Sequence, residues 1–274
     1  MKRFDRVILA SDIDGTFLTS NEEGKRRNRE AIEYFKSEGG HFTFATGRNY
    51  RQILTSIPDA AELTNFPAVT CNGACLYDFQ RKREVERHLL DGTAVRDLLI
   101  WLEEQIPTIG VRAATESEFW FTSLENPYIR KDFDSLKCQN SKLVPSNAWL
   151  DGQIYKLAVR DDADKLLRVL PLIVEQFGDR LTITQSDATL VDVQAAGRSK
   201  AVLLRELKQK SGISDPYLCA VGDYNNDLEM LGEADMPCCP SNAQDCVKAI
   251  CQTQVGHYSD GAIADVIDVL DDMF

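Results

Sequence analysis

Asp12-Ile13-Asp14-Gly15-Thr16 places two carboxylates two residues apart, beside a glycine, directly after the apolar run Val7-Ile-Leu-Ala-Ser11. Charge is costly at the end of such a run. Acids crowded at the edge of a buried strand repel one another, and a divalent cation relieves that repulsion most simply. One bland alternative is a turn with incidental acids, and another is a calcium loop of the D-x-D kind. Calcium loops of that kind need glycine at position 6 and glutamate at position 12. Counting from Asp12, Glu23 meets the second requirement, but Phe17 stands where the glycine should be.

Other polar clusters follow apolar runs or open helical stretches. Thr46-Gly47-Arg48 ends the run Phe42 to Ala45, Asn72-Gly73-Ala74 ends Ala68 to Cys71, and Gly222-Asp223-Tyr224-Asn225-Asn226-Asp227 ends Tyr217 to Val221. Lys200 opens a helical stretch. Singly, each has an ordinary reading: a threonine at a strand end caps a helix, a lysine near a helix start is solvated, and an Asp/Asn cluster is a turn. Lys200 precedes Asp223 by 23 residues, room for one helix, a turn at Gly212 and one strand, which returns both groups to the same sheet edge.

In that order, Asp12-Ile-Asp-Gly-Thr, Thr46-Gly-Arg, Lys200 and Gly222-Asp-Tyr-Asn-Asn-Asp resemble the four motifs of the haloacid dehalogenase superfamily phosphatases. A long insert between the second and third motifs resembles the larger α/β cap of the Cof-type sugar phosphatases. The resemblance spans essentially the whole chain and includes Asp260-Gly261 before the last helix. Ala201 replaces the glycine common after the motif lysine, and Pro240-Ser241 stands where Met-Gly usually precedes Asn-Ala, at Asn242.

The resemblance implies a phosphatase using Mg2+, with Asp12 as nucleophile, Asp14 as general acid and base, and an aspartyl-phosphate intermediate. A carboxylate is ionised at neutral pH without activation, so Asp12 suits that role. Metal ligands would come from Asp12, Asp14 through its backbone carbonyl, Asp223 and Asp227. Lys200, the Thr46 hydroxyl, the Asn226 amide and backbone N–H groups at Ile13 and Gly47 would stabilise the transferring phosphoryl group. Arg48 and Asn72 would reach the organic part of the substrate or act as structural hydrogen-bonders. Asp14 must hold a proton to do its work, which a crowded, partly desolvated position would favour.

These groups need elements to carry them. Strand, helix, strand, helix, strand with short connections predicts an open α/β sheet with right-handed crossovers, whose ligands bind beyond the carboxyl ends of the strands. The expected fold is a Rossmann-like parallel-sheet core, residues 1–84 and 193–274, with an inserted α+β cap at 85–192. Within the insert, two helices lined by Val95, Leu98, Leu99, Leu102 and by Leu166, Leu170, Ile173, Phe177 alternate with pairs of short strands, predicting a largely antiparallel sheet. Asn126 to Leu150 reads as polar and irregular. The last helix presents Ile263, Val266, Ile267 and Leu270 on one face.

Composition bounds the rest. A net charge of −12 repels polyanions, and the basic stretches near Lys25 and Arg81 are interleaved with glutamates, so no nucleic-acid partner is expected. Eight cysteines follow neither a disulfide framework nor zinc spacing. Asp5, Asp12 and Asp14 interrupt any signal-like stretch, and no run nears the roughly 18 apolar residues that span a bilayer. A cytoplasmic monomer or small homo-oligomer acting on a small phosphorylated metabolite is the expectation. Open alternatives are a phosphoryl transferase or mutase and a noncatalytic phosphometabolite-binding regulator. A dinucleotide-binding protein lacks the G-x-G-x-x-G turn after the first strand.

Overall fold

The computed structural model describes residues 2–116, 118–136, 140–150 and 152–274. In chain order the elements are β1 (Val7–Ser11), α1 (Glu22–Ser37), β2 (His41–Phe44), α2 (Tyr50–Ser56), α3 (Ala60–Leu63), β3 (Ala68–Thr70), β4 (Cys75–Asp78), β5 (Arg83–Arg87), α4 (Gly92–Gln105) and β6 (Gly110–Thr115). There follow β7 (Phe119–Phe121), α5 (Pro127–Leu136), β8 (Ser141–Leu143), β9 (Ile154–Arg160), α6 (Ala163–Phe177), β10 (Leu181–Asp187) and β11 (Leu190–Ala195). The last part holds α7 (Lys200–Lys210), β12 (Tyr217–Val221), α8 (Leu228–Gly232), β13 (Met236–Pro240), α9 (Asp245–Lys248), β14 (Thr253–Val255) and α10 (Ala262–Met273). Two compact units result: Met1–Glu86 with Lys200–Phe274, and Arg87–Ser199.

The first unit is built on a parallel sheet of order β14-β13-β12-β1-β2. Every residue of β1 is buried, as a strand covered on both faces requires. On one face Ile8 and Ala10 pack with Leu203, Leu204 and Leu207 of α7 and Met230 and Leu231 of α8. Helix α1 packs along α10, and the buried Asn28 links them by donating to Phe17 O and accepting from Ala264 N. Asn21 caps α1 by accepting from Glu23 N.

Two departures from the sequence reading concern strands. Ala68–Thr70 touches the parallel sheet only through a bridge between Ala45 and Val69; its regular pairing is antiparallel, with β4, in a small sheet of order β3-β4-β5. The parallel sheet is instead extended on its other side by β13, rich in proline and cysteine, and by the three-residue β14, which give little strand signal.

The second unit is a six-stranded sheet of order β10-β11-β9-β6-β7-β8, antiparallel except where β7 meets β8. Helices α4 and α6 bury Val95, Leu98, Leu102, Leu166, Val169 and Ile173 on one face. Part of the stretch read as irregular is ordered: α5 packs Ile129 and Leu136 on Ala114, Phe119 and Phe121. Asn126 accepts from Tyr128 N and Ile129 N at its start. Among the described residues no helix is long and apolar enough to cross a membrane.

Candidate active site

β1 lies at the switch point of its sheet, because the chain proceeds to β2 on one side and later returns to β12 on the other. Asp12 N donates to Val221 O at 2.9 Å, carrying the ladder one residue past the strand, so Asp12 emerges in that crevice beside the loop that follows β12. The loop brings the other acids. Carboxylate oxygens of Asp12, Asp223 and Asp227 all lie within 4.8 Å of one another.

Lys200, the first residue of α7, enters the same cluster fully buried. Its Nζ donates to Asp12 Oδ1 at 2.6 Å and to Asp227 Oδ1 at 2.7 Å. Asp227 uses its second oxygen on the backbone, accepting from Asp223 N at 3.0 Å and Tyr224 N at 3.2 Å. It therefore holds both the ammonium and the loop. Asp223 is set by Thr16, whose hydroxyl donates to its Oδ1 at 2.8 Å.

Three carboxylates against one ammonium leave the cluster negative. Burial pushes the Asp12 carboxyl well above the usual range against the opposing pull of Lys200, and the charges of Asp227, Asp223 and Asp14 push the same way. Burial, helped by Asp227, pushes Asp223 up to about 6. Burial alone would lower the Lys200 ammonium, but Asp12 and Asp227 outweigh it and the group is held up. Such a site takes up either protons or a hard divalent cation, and an all-oxygen donor set of this spacing fits Mg2+.

Asp14 stands apart. Its carboxylate is 62% exposed and gripped by Arg48, with Nε to Oδ2 at 2.8 Å and Nη2 to Oδ1 at 2.6 Å. The crowded, partly desolvated position expected of it is not what the fold provides, because the strand has already ended and the side chain turns outward to a guanidinium. Its carboxylate lies outside the acidic cluster, leaving its backbone carbonyl as the group it could lend to a metal.

The remaining residues form a linked rim. Thr46 is buried; its Oγ1 accepts from Arg48 N at 3.2 Å and its carbonyl from Asn72 N at 2.9 Å. Asn72 adopts φ 55°, and its Oδ1 accepts from Asn226 Nδ2 at 3.3 Å. Gly47 is the close neighbour of that amide: a Cβ there would stand 3.1 Å from Asn72 Oδ1. Ile13 is fully buried and its carbonyl accepts from Phe17 N and Leu18 N, so what it can offer a ligand is its N–H.

Two positions carry no sequence signal for what they do. Thr16 sits within the first motif with no nearby partner to mark it, and its bond to Asp223 joins residues 207 apart. Asn242 donates to Gly15 O at 2.8 Å and accepts from Tyr258 N at 3.1 Å, tying the first motif to the chain before α10. The Pro240-Ser241 variation in front of it leaves both bonds intact.

The family model of the haloacid dehalogenase-like hydrolases matches residues 9–267. The chain belongs to that family. This hydrolase is 28% identical over 244 residues to the 5-amino-6-(5-phospho-D-ribitylamino)uracil phosphatase YcsE of Bacillus subtilis, covering 89% of this chain and 87% of the relative. Against the phosphatase YbjI of Escherichia coli, named for the same substrate, it is 25% identical over 268 residues, covering 95% and 94%. The crystal structure of a haloacid dehalogenase-like hydrolase from Bacteroides thetaiotaomicron superposes with a TM-score of 0.80 at 22% identity, over 96% of this chain and 98% of that one, which shows a shared fold.

Proposed function

We propose that this phosphoric monoester hydrolase is Mg2+-dependent and cleaves a small phosphorylated metabolite, a sugar or sugar-alcohol phosphate, by way of a phosphoryl group carried on Asp12. The observation that carries the reading is the buried Asp12 carboxylate 2.6 Å from Lys200 Nζ, at the strand-order switch and within 4.8 Å of Asp223 and Asp227.

Asp12 attacks phosphorus, the P–O bond to the organic alkoxide breaks, and Asp14 gives that oxygen a proton. Water then attacks the acyl phosphate and passes a proton to Asp14, while phosphate departs and the Asp12 carboxylate is restored. Release from Arg48 is required for Asp14 to reach the reacting oxygen in either half. Lys200 holds positive charge against Asp12 throughout, and the Thr46 hydroxyl, the Asn226 amide and the N–H groups of Ile13 and Gly47 supply donors to the equatorial oxygens. Asp12, the Asp14 carbonyl, Asp223 and Asp227 would hold the metal, with Asp227 also ordering the loop. When bound, Mg2+ offsets the charge of a carboxylate approaching a phosphate dianion.

The substrate class is supported by the two relatives named for a phosphoribityl compound. Residues 85–192, inserted between the second and third motifs, are read as the cap that selects the organic group. The seven described cysteines are thiols rather than disulfides, in keeping with a reducing cytoplasm. A decisive experiment quenches turnover of a phosphate ester in acid and maps the phosphoryl group by mass spectrometry. Modification at Asp12 supports the reading; rapid turnover with Asp12 unmodified at every quench time overturns it.

A further inference from the structure

The α5 side of the second unit's sheet carries two ion clusters that differ in how fully they are satisfied. Val111 and Ala113 of β6 pack with α4 and α6, so Arg112 between them faces the opposite side, as does Ala114 beneath α5. Ala158 of β9 lies opposite both Arg112 of β6 and Asp192 of β11. Lys156 and Arg160 precede and follow Ala158 by two residues on the same face. Charged side chains therefore ring one small residue, and α5 adds Asp132.

One cluster is closed. Lys156 Nζ donates to Asp192 Oδ1 at 2.8 Å, and Ser186 Oγ donates to Asp192 Oδ2 at 2.7 Å, so both oxygens of the carboxylate are engaged. The other is open. Arg112 Nε donates to Asp132 Oδ2 at 2.7 Å, but Arg160 Nη2 stands 3.7 Å from Asp132 Oδ1, beyond hydrogen-bond reach. Two guanidiniums share one carboxylate. Among the described residues, Arg112 Nη1 and Arg160 Nε are both buried without an acceptor, and the Arg112 side chain is only 8% exposed. The Phe119 ring, 5.4 Å from Arg112 Cζ, attracts the charge but accepts none of the N–H groups in the guanidinium plane.

A buried donor left unmade is costly, and more so when it is charged. The planar guanidinium fork is suited to carboxylate and phosphate oxygens. We propose that Arg112 and Arg160 form a binding site for a small oxyanion, a carboxylate or phosphate group, with Asp132 holding Arg112 in position to receive it. A water molecule could accept the two N–H groups but would leave the excess positive charge in place; an oxyanion answers both. The anion can be a group borne by the phosphorylated substrate or a separate small ion.

The first test does not depend on turnover and so stands apart from the phosphatase reading. Inorganic sulfate is titrated into the full-length protein while the arginine Nε–Hε NMR signals are followed, with Arg160→Lys assigning the Arg160 signal. A saturable shift of that signal, weakened about tenfold or more in Arg112→Lys, the scale of one lost charge-assisted hydrogen bond, is expected. Cooperative thermal unfolding of each variant checks that it is folded. A signal unmoved by sulfate in the native sequence overturns the proposal, as does a shift that Arg112→Lys leaves at full affinity.

The second arm rests on the phosphatase reading and separates the sources. If the oxyanion belongs to the substrate, Arg112→Lys raises KM about tenfold or more for phosphate esters bearing a second acidic group, relative to esters without one. Equal effects on both ester classes, together with the sulfate-dependent shift, assign the site to a separate anion.

Discussion

A Cβ placed on Gly15 would stand 2.4 Å from Asp223 Oδ2, and Gly15 itself holds φ +74°. The first motif and the loop after β12 therefore meet so closely that a side chain at Gly15 would have to displace the Asp223 carboxylate, and the left-handed backbone penalises one as well. Gly15→Ala is expected to push Asp223 away from Asp12 and weaken Mg2+ binding by about 10- to 100-fold, the range seen when groups supporting a metal ligand are lost. Calorimetric titration of the metal checks this, and native affinity in the variant would show that the loop relocates freely.

On the proposed mechanism Asp12→Asn removes the nucleophile, and it should ease repulsion among the buried acids. Turnover is expected to fall by roughly 10⁴-fold or more. The metal-free variant should melt no lower than the parent, because one of three carboxylates facing a single ammonium has become neutral. Steady-state kinetics and a melting curve test the two halves separately.

Lys200→Met leaves those acids without their cation. Breaking a buried pair by removing one partner costs about 3–5 kcal/mol, and the Lys200 side chain is 1% exposed. Denaturant unfolding without metal should show a loss of that order, and combining the change with Asp12→Asn should recover part of it. Strict additivity of the two changes would contradict the pairing.

Acidity should compete with the metal. The Asp223 carboxyl, pushed up to about 6 by burial, must lose its proton to bind Mg2+, so its titration should lower affinity by up to about tenfold per unit as pH falls below that value. Stability of the metal-free protein should run the opposite way. With the unfolded group titrating near about 3.9, the folded state holds the extra proton between the two values, so Asp223's contribution declines as pH rises from about 4 to 6. Saturating Mg2+ should reverse that slope; an unchanged slope would remove Asp223 from the metal site.

Much of this arrangement was readable because local signals and function coincide. The run Val7–Ser11 followed by acids, the apolar spacing of α7, and the Asn-Gly pair at the φ 55° turn of Asn72 each announce themselves within a few residues. Thr16 and Asn242 did not, since their partners lie far along the chain and nothing at either position names them. The exposure of Asp14 is hidden from the sequence for a related reason: which way its side chain turns depends on Arg48, 34 residues later. Helix α5 is a different case. Asn126 before Pro127, and Ile129, Phe133 and Leu136 on one face, are a helix start and an apolar stripe, but the intervening charges hid the period.

The division of the sheet between both ends of the chain bears on how the protein is made. Asp12 leaves the ribosome early, whereas Lys200, Asp223 and Asp227 are synthesised after the entire second unit, and β12 cannot pair with β1 until then. A nascent chain that has not yet reached Lys200 thus carries Asp12 with no ammonium beside it and without Asp223 and Asp227. The order of translation itself postpones assembly of the acidic cluster until β12 and the loop after it have been made.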